Sequence, residues 1–177
     1  IKENKSNVIR YACKVINAQG NVFLLSFFHP KLELASDFYR RKVKNLTRSS
    51  LSEYIFKKEV FNQYKFVNYP LAWHSDDKAW LDFSENKPIY TINEAIVYVR
   101  FSEINISGRQ DNITQKLTAT FQFYGDILSD KKNVFTSKQV LTILMSYEVI
   151  IKKNRKLNFN EWIFLFRNYF FNFKLIP

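Results

Sequence analysis

The chain predicts a mixed α/β fold of the α+β kind: a front of short strands and helices, then three C-terminal helices. Three observations predict it. The apolar period changes from alternation to a helical repeat beyond residue 108. Apolar residues make up 46% of the 177, enough for their burial to offset the entropy of folding. Only three Gly and four Pro punctuate the chain, with no long linker and no low-complexity segment.

Taken in order, Asn7 to Val15 alternates as a strand, Asn17 to Asn21 forms a turn with Gly20 left-handed, and Val22 to Phe28 completes a hairpin that Pro30 ends. Leu34 to Val43 has a helical pattern with Ser36 and Asp37 near its start. Leu51 to Phe56 is a short apolar strand and Lys57 to Tyr64 a short helix. Phe66 to Trp73, aromatic and broken by Pro70, is a loop. Ser75 is placed to N-cap a helix from Asp76 to Phe83. After a turn at Glu85 to Pro88, Ile89 to Ile92 and Ala95 to Phe101 are two strands. Asn112 to Leu128, Ser137 to Lys153 and Asn158 to Phe173 are helices.

The formal charge is +11, unevenly spread. Residues 1–48 carry ten Lys/Arg against three acids and residues 130–177 nine against three, while 49–129 holds eight against ten. A basic frame around an acidic centre points to a phosphate-rich or membrane-surface partner, and a solvated basic surface gives the same count. The single Cys13 rules out an intramolecular disulfide and a Cys-rich metal site, which suits a reducing, cytoplasmic setting. No apolar run reaches the length of a membrane span. Met145 is the only methionine and the chain opens on Ile1, so excision from a longer protein is expected.

The chemistry concentrates in Tyr69-Pro70-Leu71-Ala72-Trp73-His74-Ser75-Asp76-Asp77-Lys78-Ala79-Trp80. Adjacent carboxylates at a helix mouth point about 100° apart, so they divide two tasks. One braces the loop, and the other faces a cleft where it can take a proton from a sugar hydroxyl. A helix start decorated with acids, as the macrodipole favours, explains the same pair.

These residues, with their neighbours, resemble family 2 glycosyltransferases of the GT-A fold. The likeness rests on the order Ser52-Glu53-Tyr54-Ile55-Phe56-Lys57-Lys58, then Tyr64-Lys65-Phe66, then Ser75-Asp76-Asp77. It implies that Asp77 is the general base and Asp76 a supporting acid. It also implies that Arg100, Ser102, Asn105 and Ser107 contact donor phosphate or sugar, in a stretch where Ser102 replaces the family's metal-binding histidine. Trp73, Tyr69 and Trp80 would offer aromatic faces to sugar rings, and His74 would tune the cleft.

The family's Asp-x-Asp motif does not occur in the sequence. The resemblance therefore implies a nucleotide-binding half before Ile1, holding most of a divalent metal (Mn or Mg), with no metal bound by this chain. It assigns residues 1–108 to the acceptor side of a GT-A domain and 109–177 to a helical extension packed on it. The implied reaction is inverting transfer from a nucleotide sugar to a hydroxyl of a glycan or lipid-linked acceptor, in bacterial polysaccharide biosynthesis, with the isolated chain inactive.

Other classes remain open. A nucleic-acid-binding module fits the charge and the interleaved aromatics, but it lacks a stacking or helix-turn-helix motif, and the acidic centre repels phosphate. The last helix, from Glu161 to Leu175 behind Lys152-Lys153-Asn154-Arg155-Lys156, suits the surface of an anionic bilayer at the cytoplasmic face of a membrane. A packed core helix or a homodimer contact explains the same residues and ranks first, because the helix is apolar nearly all round.

Overall fold

The computed structural model describes residues 5–22, 26–101, 106, 108–130 and 134–173. It is a mixed α+β fold, with a four-stranded mixed sheet and six α-helices among these residues. Its strands are β1 (Val8–Ile16), β2 (Leu32–Glu33), β3 (Tyr54–Phe56) and β4 (Ile89–Arg100), in the order β2-β4-β1-β3. Between them lie α1 (Ala35–Val43), α2 (Lys58–Tyr64) and α3 (Ser75–Phe83). After the sheet come α4 (Ile113–Asp130), α5 (Ser137–Asn154) and α6 (Phe159–Phe173).

β1 is the central strand, and nearly every residue of Val-Ile-Arg-Tyr-Ala-Cys-Lys-Val-Ile is buried or half-buried. It pairs antiparallel with β3 and parallel with β4. The expected hairpin is present as two antiparallel bridges, Ile16 to Val22 and Cys13 to Phe27, around a turn with Gly20 at φ 88°. Residues 23–25 of the expected second strand lie outside the described set.

The two strands expected from Ile89 and Ala95 are one. The register moves from Tyr11 opposite Ile92 directly to Ala12 opposite Ile96, so Asn93, Glu94 and Ala95 bulge out. The Asn93 amide then does the work of a missing strand. Its Oδ1 accepts from His29 N at 3.2 Å and its Nδ2 donates to His29 O at 2.8 Å. β2 covers only the first two residues of β4, and beyond Asn93 that edge of β4 has no backbone partner among the described residues.

Two further expectations change. Leu51–Glu53 forms a 3₁₀ turn before β3, so the short strand begins at Tyr54. Ser75 is the first residue of α3 and the N-cap is His74, in left-handed conformation.

The core is aromatic. Trp80 stacks on Tyr54 with centroids 4.0 Å apart and planes at 14°. Phe56, Phe61, Phe66 and Phe83 close around that pair edge-on or tilted, each contact adding about 0.5–1.5 kcal/mol beyond area burial. Part of the aromatic excess is thus packing. Another part is on α6, whose outer face is exposed rather than buried in a core.

A charged cluster sits beneath β1. Arg10, with a fully buried side chain, donates from Nη2 to Glu33 Oε2 at 2.9 Å and to Thr91 Oγ1 at 3.1 Å, and its guanidinium lies 4.6 Å over the Phe38 ring. Arg41 grips Glu33 with two bonds of 2.7 and 2.8 Å and donates to His29 Nδ1 at 3.1 Å. Burial first, then the charges of Arg10 and Arg41, lower the His29 pKa from the ordinary 6.5 to about 3.

Folding therefore excludes a proton that the unfolded chain binds. The stability from a neutral His29 is full above pH 6.5 and declines as pH falls from 6.5 toward 3, by on the order of 5 kcal/mol over that window. Urea titrations from pH 7 to 4 check this against His29→Gln, which keeps an acceptor for Arg41 but cannot titrate. The wild type loses the more stability on acidification, and parallel curves would place the acid sensitivity elsewhere.

Candidate active site

A cavity of about 1050 Å³ opens where the C-terminal ends of β1 and β4 meet the loops before α3 and β3. Asp76 and Asp77 lie on it with Lys42, Arg48, Trp73, His74 and Arg100. The wall from residue 71 to 74 is built under strain. Leu71, Ala72 and His74 all take positive φ, at 59°, 53° and 68°, and none is a glycine. Such residues cost of order 1–2 kcal/mol each and persist where surrounding contacts over-determine them.

For His74 those contacts are explicit. Its ring stacks on Phe123 of α4 at 4.7 Å and 8°. Nδ1 meets Asp77 Oδ2 at 2.8 Å and Nε2 meets Thr120 Oγ1 at 3.1 Å. The Thr120 hydroxyl donates to the Lys116 carbonyl at 2.8 Å, which leaves its oxygen to accept from Nε2. Both ring nitrogens thus have an oxygen partner.

The other oxygen of Asp77, Oδ1, accepts from Lys42 Nζ. Asp77 is 3% exposed. Burial alone would raise its pKa, but Lys42 and His74 outweigh burial and hold the carboxyl below the usual range. Lys42 is raised in turn, the attraction of Asp77 and Asp76 exceeding the cost of its burial. Asp77 is an anion held between Lys42 and His74, with both oxygens occupied.

Asp76 differs. It is half-buried on the cavity wall, and among the described residues it accepts one hydrogen bond, from Asp77 N at 2.9 Å. Burial, then the neighbouring Asp77 charge, push its pKa upward. A carboxylate made more basic and facing a cleft has the properties of a general base. Of the two adjacent acids, Asp77 is therefore the one held on both oxygens, by Lys42 and His74, and Asp76 is the one less engaged on the cavity wall.

The other expected residues divide between cavity and core. Trp73 and His74 line the cavity, and Arg100 reaches it while Nη1 donates to the turn carbonyls of Asn17 (2.8 Å) and Ala18 (2.5 Å). Tyr69 and Trp80 do not line it. Trp80 is 1% exposed against Tyr54, and Tyr69 is buried with its hydroxyl on Asp126 at 2.5 Å, so neither offers a face to a sugar ring. Ser102, Asn105 and Ser107 lie outside the described residues.

Lys42, Arg48 and Thr120 join the site without a signal in the sequence. Lys42 reads there as one charge in the run Arg40-Arg41-Lys42, and only the packing of α1 against α3 brings it to Asp77. Arg48 reaches Glu53 Oε1 at 3.8 Å and the buried Cys13 thiol at 3.8 Å. Burial, then Glu53, push that thiol up to about 12, so it is no nucleophile near neutrality.

The acids do not fit a resident divalent cation. Asp77 has both oxygens taken by Lys42 and His74, and among the described residues no three of His, Cys, Asp and Glu gather as ligands. Also among the described residues, no helix is long and apolar enough to cross a membrane. Compared with known protein families, curated proteins and solved structures, the chain matches none.

Proposed function

We propose that this chain is the acceptor-side part of an inverting, nucleotide-sugar-dependent glycosyltransferase, with Asp76 as the proton acceptor. The observation that supports it best is the unequal acid pair: a basic, cleft-facing Asp76 beside an Asp77 locked between Lys42 and His74. A sugar hydroxyl seated against Asp76 gives up its proton to the carboxylate as its oxygen bonds to the donor's C1. The bond from C1 to the diphosphate oxygen breaks on the opposite side, with inversion. Arg48 and Arg100, at the cavity wall, are the cations this chain offers to the departing diphosphate. Trp73 is the aromatic face on the same wall.

The test is an assay of nucleotide-sugar hydrolysis and transfer by the chain joined to its upstream nucleotide half, beside the chain alone. The joined protein turns over at least one donor and the chain alone turns over none. A well-folded joined protein that neither binds nor cleaves any donor overturns the proposal. Steeply salt-dependent binding of random single-stranded DNA by the chain would then favour the nucleic-acid module.

A further inference from the structure

Helix α6 is turned with its acid inward and its aromatics outward. Glu161, 1% exposed, accepts from Tyr147 Oη at 2.9 Å and from both terminal nitrogens of Arg155 at 2.7 and 2.8 Å. It also closes a reciprocal cap with Asn158, in which each side chain accepts from the other's backbone N–H at 2.9 Å. These contacts fix the rotation of the helix, with Leu165 and Asn172 on the same buried face. The opposite face carries Phe159 (77% exposed), Trp162 (60%), Ile163, Phe166 (71%) and Phe170. At 100° per residue these five occupy one stripe about 100° wide.

The unpaired charges beside the stripe are cations, while Glu148 at its border is already bonded to Lys152 and Tyr169. Arg167 is exposed next to it on α6, and Lys153 and Lys156 are exposed where α5 turns into α6, with no ion pair among the described residues. The only acid of α6 is the buried Glu161. A second copy of the chain would therefore bring cations against cations and find no exposed acid on this helix to receive them. An anionic lipid surface satisfies both features, since aromatic rings enter the boundary between headgroups and acyl chains while Lys and Arg meet phosphate.

We infer that α6 lies flat in the headgroup layer of an anionic membrane, with the stripe from Phe159 to Phe170 inserted and Arg167, Lys153 and Lys156 on lipid phosphates. This rests on α6 alone and stands or falls apart from the transferase proposal.

The experiment is vesicle co-sedimentation of the 177-residue chain, with phosphatidylcholine alone or mixed with phosphatidylglycerol. Trp162 fluorescence is followed in parallel with lipids brominated in the acyl chain. The expected result is binding that grows with the anionic fraction, and quenching that disappears in Trp162→Phe. Ile163→Ser combined with Phe166→Ser changes only exposed side chains, so it keeps the wild-type melting temperature while weakening binding about tenfold or more. Unchanged vesicle affinity in that double variant would overturn the inference, because charge alone would then account for adsorption. So would failure to bind anionic vesicles, or a tight dimer by light scattering that shields Trp162 and persists with vesicles present.

Discussion

Glu33→Ala lowers the folding stability by about 3–5 kcal/mol, as measured by urea denaturation at pH 7. Glu33 is the one carboxylate gripped by both Arg10 and Arg41. Arg10 has no exposed side-chain surface, and its Nε and Nη1 already lack hydrogen-bond partners. Without Glu33 its charge stays buried beside the Thr91 hydroxyl, the Phe38 ring and Tyr54, with Glu53 as the nearby acid that remains. Arg41→Ala costs less, about 1–2 kcal/mol, since Arg41 is a quarter exposed and Glu33 keeps Arg10. Arg10→Met combined with Glu33→Gln recovers much of the loss by removing the charge together with its partner. Equal losses for the Glu33 and Arg41 variants would show that burial of Arg10 is not the dominant cost.

On the proposed function, Asp76→Asn in a protein extended by the nucleotide-binding half which that proposal requires lowers turnover about 10²–10⁴-fold with donor affinity and melting temperature retained. The amide keeps the shape and the acceptor for Asp77 N but cannot take a proton. Asp77→Asn has a different signature. It leaves Lys42 and His74 without their anion inside the protein, so the melting temperature falls first and turnover falls with it as the wall from 71 to 74 relaxes. Full activity in Asp76→Asn, with loss in an Asp77→Asn protein that stays folded, would return the base to Asp77. Thermal melts and single-turnover rates on the two variants decide between these outcomes.

The sequence carries most of the helices plainly, because their stripes and stops are local. Ser137 to Asn154 begins with a capping box of Thr136 and Gln139, and the observed helix bounds follow the apolar pattern within a residue or two. The β4 bulge was not legible, since Asn93-Glu94 in an apolar run looks like a strand end. Only pairing with β1 across 80 residues shows the strand continuing. The acid pair was legible as two adjacent carboxylates at the start of α3. Which of them is held fast depends on Lys42, 35 residues earlier, and on His74, whose left-handed backbone no local pattern announces. Tyr69 and Trp80 were misplaced for a related reason: in a chain this rich in rings, residue type alone cannot separate a packing surface from a binding one. The orientation of α6 was hidden in the same way, because a helix apolar nearly all round gives no clue to which face turns inward until Glu161 finds Tyr147 and Arg155.

The edge of β4 beyond Asn93, without a backbone partner among the described residues, has a consequence for the chain at high concentration. From Ala95 to Val99 it reads Ala-Ile-Val-Tyr-Val, with no charge, no proline and no glycine. Backbone groups in such a run recruit a further strand, and repeated recruitment builds fibrils. Glu94 and Arg100 stand as gatekeepers at its two ends, and Arg100 is already tethered to the turn at Asn17 and Ala18. Neutralising Glu94 and Arg100 together would therefore be expected to raise fibril formation at high concentration, measured by thioflavin fluorescence.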